Sequence, residues 1–96
     1  ENDITPGESA ANEAVEEAGV SGKLRERPFG VYCYEKTVED GDNYPCIVTV
    51  YAIKVKTILT DYPEKSERRR KWFSRKDAAK RVFEPDLARL LKSFDP

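Results

Sequence analysis

Glu13, Glu16 and Glu17 stand at i, i+3 and i+4 within GESAANEAVEEAGV, residues 7–20, and Gly19 closes the series. That spacing puts three carboxylates on one side of a helix. Like charges gathered on one turn repel, so the helix gains nothing from them alone. A bound divalent cation removes that cost, because hard metals such as Mg²⁺ take carboxylate oxygens. An acidic, solvated helix face is the other reading, and the spacing leaves both open.

The remaining composition limits what else could do chemistry. None of the 96 residues is histidine, which excludes His-based triads, His-ligated zinc and imidazole acid–base catalysis. Catalysis would therefore fall to carboxylates and a metal. A net charge of −1 gives no global basic field, so no specific nucleic-acid partner is expected. No apolar run reaches the roughly 20 residues of a membrane helix, and no secretory signal opens the chain. The two cysteines, Cys33 and Cys46, lack a disulfide framework or metal spacing and read as buried thiols in a reducing, cytoplasmic compartment. The length allows one domain with a modest core, over residues 1–96. A chain opening on ENDITPGE also reads as the middle of something longer.

These carboxylates need a helix to hold them. Residues 1–7 read as a polar loop, and Ser9 is the expected N-cap of a short helix ending near Ala18. Gly19 sits where a left-handed C-cap belongs. Ala10, Ala11, Ala14, Val15 and Ala18 give that helix a small-residue face suited to lying against a sheet. SGKLRERP follows as a linker. Phe29 to Lys36 then predicts a strand, Asp40 to Asn43 a turn, and Tyr44 to Leu59 one long returning strand. Apolar residues on both sides of that second strand predict cover on both faces, hence helices above and below a mixed sheet. After a polar loop over 60–70, Lys71 to Phe73 reads as a short strand anchored by Trp72. Ser74 caps a helix, with Asp77 three residues on and Ala78, Ala79 and Val82 facing inward. Pro85 opens a last helix whose Leu87, Leu90, Leu91 and Phe94 form a core stripe.

The string Pro6-Gly7-Glu8-Ser9, then Glu13, then Glu16-Glu17-Ala18-Gly19-Val20, resembles the signature of the Nudix hydrolases. Lys71-Trp72-Phe73-Ser74 before a helix is similar to that family's strand–Trp–turn–helix ending. RPFGVYCY, YPCIVTVY and FEPDLARLLKSF also resemble segments of bacterial Nudix proteins. Asn12 stands where the family pattern has an arginine, so the usual ion pair with Glu8 is absent. Only Ser9, Ala10 and Ala11 separate Glu8 from Asn12, about one helical turn fewer than in the pattern.

The resemblance implies a Nudix-like α/β/α sandwich, α+β in class, incomplete at its N-terminus for want of upstream strands. It implies a pyrophosphohydrolase cleaving a diphosphate linkage in a nucleoside diphosphate, dinucleoside polyphosphate or inositol polyphosphate. Glu13, Glu16 and Glu17 would hold Mg²⁺ or Mn²⁺, with Glu13 and Glu16 catalytic. The base would be a box glutamate or one of Glu64, Glu67 and Glu84. Arg68, Arg69 and Arg70 could bind substrate phosphates, since guanidinium matches phosphate oxygens bidentately; a solvated loop is the alternative. Tyr32, Tyr34 and Tyr51 could stack on a base or simply pack. A non-catalytic Nudix-like binding or scaffold domain is the competing functional reading. Open strand edges would favour pairing with a second copy.

Overall fold

Three helices and four strands are formed by the described residues: α1 (Pro6–Ala18), β1 (Val20–Leu24), β2 (Gly30–Thr37), β3 (Asn43–Val50), β4 (Ile53–Ile58), α2 (Arg75–Arg81) and α3 (Pro85–Ser93). The computed structural model describes residues 4–96; the part of the expected N-terminal loop formed by residues 1–3 lies outside them. The α+β class stands. Two compact units divide the chain, one taking residues up to Pro28 together with Tyr51–Lys71, the other Phe29–Val50 with Trp72–Pro96.

In the first unit β1 pairs antiparallel with β4, from Val20 opposite Ile58 to Leu24 opposite Ile53. The sequence reading made this segment a linker, because Ser21, Gly22 and Lys23 are weak strand formers. Pairing with β4 overrides that preference. The ladder shifts register between Ser21 and Gly22. A Cβ at Gly22 would run into the Lys54 carbonyl, so this close approach of two backbones requires glycine. Helix α1 packs on β1, and its buried Gly7 lies against the side chains of Leu24 and Tyr51.

The long strand expected over 44–59 is two strands in two sheets. β3 pairs with β2 and β4 with β1, while Tyr51 and Ala52 belong to neither strand. Unbroken apolar alternation does not record a change of partner. At the junction Phe29 N–H donates to the Val50 carbonyl (2.7 Å) and Arg25 N–H to the Ala52 carbonyl (3.0 Å). Two antiparallel pairs thus stand where one mixed sheet was expected.

In the second unit β2 and β3 pair from Gly30 opposite Val50 to Thr37 opposite Asn43. Their turn places Gly41 at φ 90°, and the Asp40 carboxylate accepts from the Asp42 N–H (3.1 Å). Tyr32, Tyr34, Cys46, Val48 and Val50 form a half-buried face. The opposite face is open: Ile47 is 73% exposed, and Val31, Cys33 and Thr49 are exposed beside it. The expectation of cover on both faces is therefore corrected, because β-branched residues favour a strand whichever way they point. Cys33 and Cys46 are free thiols, but Cys33 is exposed rather than buried. They also lie on opposite faces of the hairpin, Cys33 opposite Ile47 and Cys46 opposite Tyr34.

Helix α3 covers the half-buried side through Leu90, which lies against Gly30, and Phe94, whose ring meets Phe29 edge-on at 4.9 Å. Ser74 caps α2 by accepting from the Asp77 N–H (3.1 Å), and Pro85 opens α3, both as read from the sequence. Ala79 is buried, and the Arg75 guanidinium donates to the Phe94 carbonyl, tying the start of α2 to the end of α3. The strand expected at 71–73 does not form, and Trp72 is no anchor, being 70% exposed.

Candidate functional site

Thr5, not Ser9, caps α1. Its hydroxyl accepts from the Glu8 N–H (3.1 Å), while the Glu8 carboxylate accepts from the Thr5 N–H (2.9 Å). Pro6 follows at the first helical position, where its missing N–H costs nothing. The helix therefore runs 13 residues and keeps the turn that the short Glu8–Asn12 spacing was expected to remove. Glu8 spends its carboxylate on this cap, a role that needs no arginine at position 12.

At the other end Gly19 adopts φ 66° and ψ 33°, and its N–H reaches the carbonyls of Ala14 and Val15. Helix α1 has no basic residue in its last turn, so its final carbonyls need a partner from elsewhere in the chain. Arg70 supplies it: Nη1 donates to the Ala18 carbonyl (2.8 Å) and the Gly19 carbonyl (3.3 Å), and the guanidinium lies 4.8 Å from the Tyr62 ring centre. A cation at a helix C-terminus also meets the negative end of the helix dipole.

The 60–70 loop docks on the acidic turn through further contacts. Glu64 N–H donates to the Glu16 carbonyl (2.9 Å). Arg68 Nε donates to the Glu64 carboxylate (2.6 Å), and its Nη2 lies 3.6 Å from Glu17. The hydrogen bond it donates to Glu64, then the charge of Glu17, holds the Arg68 guanidinium above its ordinary pKa. Of the three arginines singled out, Arg70 closes the helix, Arg68 bridges two carboxylates, and Arg69 is exposed. Of the three base candidates, Glu64 reaches the acidic turn, Glu67 is exposed in the same loop, and Glu84 precedes α3 in the other unit without a side-chain bond to its first turn.

Glu13 and Glu16 are exposed and Glu17 is half-buried, all reachable from solvent. Hard carboxylate oxygens at i, i+3 and i+4 suit Mg²⁺ or Mn²⁺ in chemistry and in helical position. Among the described residues, however, no three such side chains already converge on one point. Glu17 is instead turned toward Arg68. At the opposite end of α1, Thr5, Glu8, Asn12, Leu24, Glu26 and Tyr51 line a hollow of about 660 Å³. Tyr51 contributes its ring there, whereas Tyr32 and Tyr34 lie side by side in the second unit, their ring centres 6.4 Å apart and tilted by 32°.

Sequence reasoning missed three elements of this site. Thr-Pro-x-Glu over 5–8 carries the signature of a capped helix start and could have been found. Arg70's role and the docking of Glu64 depend on residues far apart in sequence, which no local pattern carries.

Comparison with known proteins gives the family. The chain is 40% identical over 97 residues to Nudix hydrolase 12, mitochondrial, of Arabidopsis thaliana, across 98% of this chain and 48% of that protein. It is 37% identical over 83 residues to Nudix hydrolase 13, mitochondrial, of the same plant, across 81% of this chain and 41% of that protein. A third relative there, Nudix hydrolase 16, mitochondrial, is 39% identical over 88 residues, across 88% of this chain and 48% of that protein. No protein-family profile matches, and neither does a solved structure. The chain belongs to the Nudix hydrolase family and spans about half the length of the curated relatives it matches. Those relatives are plant rather than bacterial proteins. All three are named mitochondrial, which overturns the cytoplasmic location read from the free cysteines. Unpaired thiols report a reducing environment, and that does not single out the cytoplasm.

Proposed function

We propose that this chain carries the metal-binding part of a pyrophosphohydrolase acting on a nucleoside diphosphate derivative, a dinucleoside polyphosphate or an inositol polyphosphate. The observation that supports it most is the Glu13, Glu16 and Glu17 set on a helix fastened at both ends. Glu13, Glu16 and Glu17 are the residues to hold Mg²⁺ or Mn²⁺, with Glu13 and Glu16 catalytic. When bound, the ion neutralises diphosphate charge and lowers the pKa of a water molecule.

The chain's own groups have separate tasks. Arg68 leaves Glu17 when the site is charged and stays with Glu64. Glu64, half-buried and hydrogen-bonded through its N–H to the Glu16 carbonyl, is the base candidate beside the acidic turn. Arg69 is exposed for a phosphate oxygen, whereas Arg70 holds the helix end in place.

Phosphate release from a panel of diphosphate compounds with Mg²⁺, using the full-length protein, tests this reading. Glu16→Gln and Glu17→Gln should each lower the rate on the order of 10²–10³-fold; turnover equal to the parent sinks the assignment.

A second reading, a Nudix-like binding domain without catalysis, is favoured by Asn12 and by the Glu17–Arg68 pair. It predicts no Mn²⁺ bound at the acidic turn, which electron paramagnetic resonance of titrated Mn²⁺ measures directly. The relatives' names also motivate a mitochondrial location, which fractionation of cells expressing the tagged full-length protein checks.

A further inference from the structure

Between α2 and α3 lies a hollow of about 410 Å³ lined by Arg75, Lys76, Lys80 and Lys92. Its volume is that of a small-ligand site. All four lining residues are cationic in a chain whose net charge is −1, so the concentration is local. Arg75 is fixed by its bond to the Phe94 carbonyl. Lys76, Lys80 and Lys92 have no ion pair or hydrogen bond among the described residues. Nearby carboxylates do not answer them: Asp86 pairs with Arg89, and Asp77 is in the first turn of α2, where the helix dipole holds it.

We propose that this hollow binds a small ligand carrying two or more phosphates, independently of the hydrolase reading. A single carboxylate leaves most of the positive charge unmatched, whereas a di- or triphosphate matches it with several oxygens. Guanidinium and ammonium groups both serve such oxygens, Arg75 as a rigid fork and the lysines as mobile point charges. Single-stranded nucleic acid is disfavoured, because no aromatic ring lines the hollow for bases to stack on. Free polyphosphate and a phospholipid headgroup share the required chemistry.

The test is calorimetric titration of the chain with sodium tripolyphosphate in metal-free buffer, so that no ion can bridge phosphate to the acidic turn. A parallel arm measures sedimentation with vesicles of phosphatidylcholine and phosphatidylinositol 4,5-bisphosphate, whose headgroup carries several phosphates. Lys76→Gln, Lys80→Gln and Lys92→Gln should each weaken binding roughly two- to fivefold, and the triple variant about thirtyfold. Lysine-to-arginine variants should retain it, and circular dichroism confirms that each variant is folded. The same pattern seen with vesicles alone assigns the site to a headgroup. Failure of both probes to bind, or binding that the triple glutamine variant keeps, overturns the proposal. Neither result depends on hydrolysis.

Discussion

The two units treat their helices and charges differently. Helix α1 is bound at both ends, by the Thr5–Glu8 box at its start and by Gly19 and Arg70 at its finish. Helix α3 starts at Glu84 without a side-chain cap and is held by packing, Leu90 on Gly30 and Phe94 on Phe29. Charge divides the same way. The acidic turn of the first unit meets Arg68, while Lys76, Lys80 and Lys92 along α2 and α3 have no ion pair among the described residues. A helix that must present three repelling carboxylates at fixed positions needs specific hydrogen bonds at its ends. One that fills a hydrophobic interface can rely on shape.

Substitutions separate these two kinds of support, and the largest effect belongs to the acidic turn. Glu16→Gln should cost on the order of 10²–10³-fold in turnover while the melting temperature holds, because the side chain is exposed. Gly19→Ala comes next. Its φ of 66° and a Cβ meeting Tyr62 and Arg70 should together cost about 2–4 kcal/mol in chemical denaturation. In the second unit, Gly30→Ala sets a Cβ 2.6 Å from a Leu90 methyl, the movable end of a side chain. About 1–2 kcal/mol is expected there, and a smaller loss than at Gly19 is the result that upholds the contrast. Thr5→Ala should cost about 1 kcal/mol by removing the cap, whereas Glu84→Ser should leave stability level or raise it.

The smallest effect is a pH dependence confined to the second unit. Burial, then the Glu84 charge and Tyr34, raises the Tyr32 phenol above its ordinary value. The folded state thus prefers the neutral phenol. That contribution is complete below the unfolded pKa of about 10 and is lost as pH rises through the higher folded value. Tyr32→Phe should flatten the alkaline limb of the stability profile.

Much of this was written locally in the chain. Gly19, Ser74 and Pro85 declare two caps and a helix start locally, and the structure places each as read, while the Leu87–Phe94 stripe read as core is only half-buried. The acidic spacing was equally plain, but whether Glu17 is paired was not, because Arg68 arrives from a distant loop. Strand β1 was hidden by its weak formers, and the break at Tyr51 and Ala52 by an apolar pattern that runs through it. Periodicity shows that a residue sits on a strand; it does not name the neighbouring strand or say whether a face is covered.

The bond from Arg70 to the Ala18 carbonyl joins residues 52 positions apart. Everything in the second unit's hairpin lies between them in the chain, so the first unit is discontinuous. On a ribosome, Pro6–Ala18 emerges early with its glycine cap but without its last hydrogen-bond donor. Closing so long a loop carries an entropic cost that purely local contacts avoid, and long-range contacts of this kind slow folding. The acidic turn is therefore the first part of the site to be synthesised and among the last to be completed.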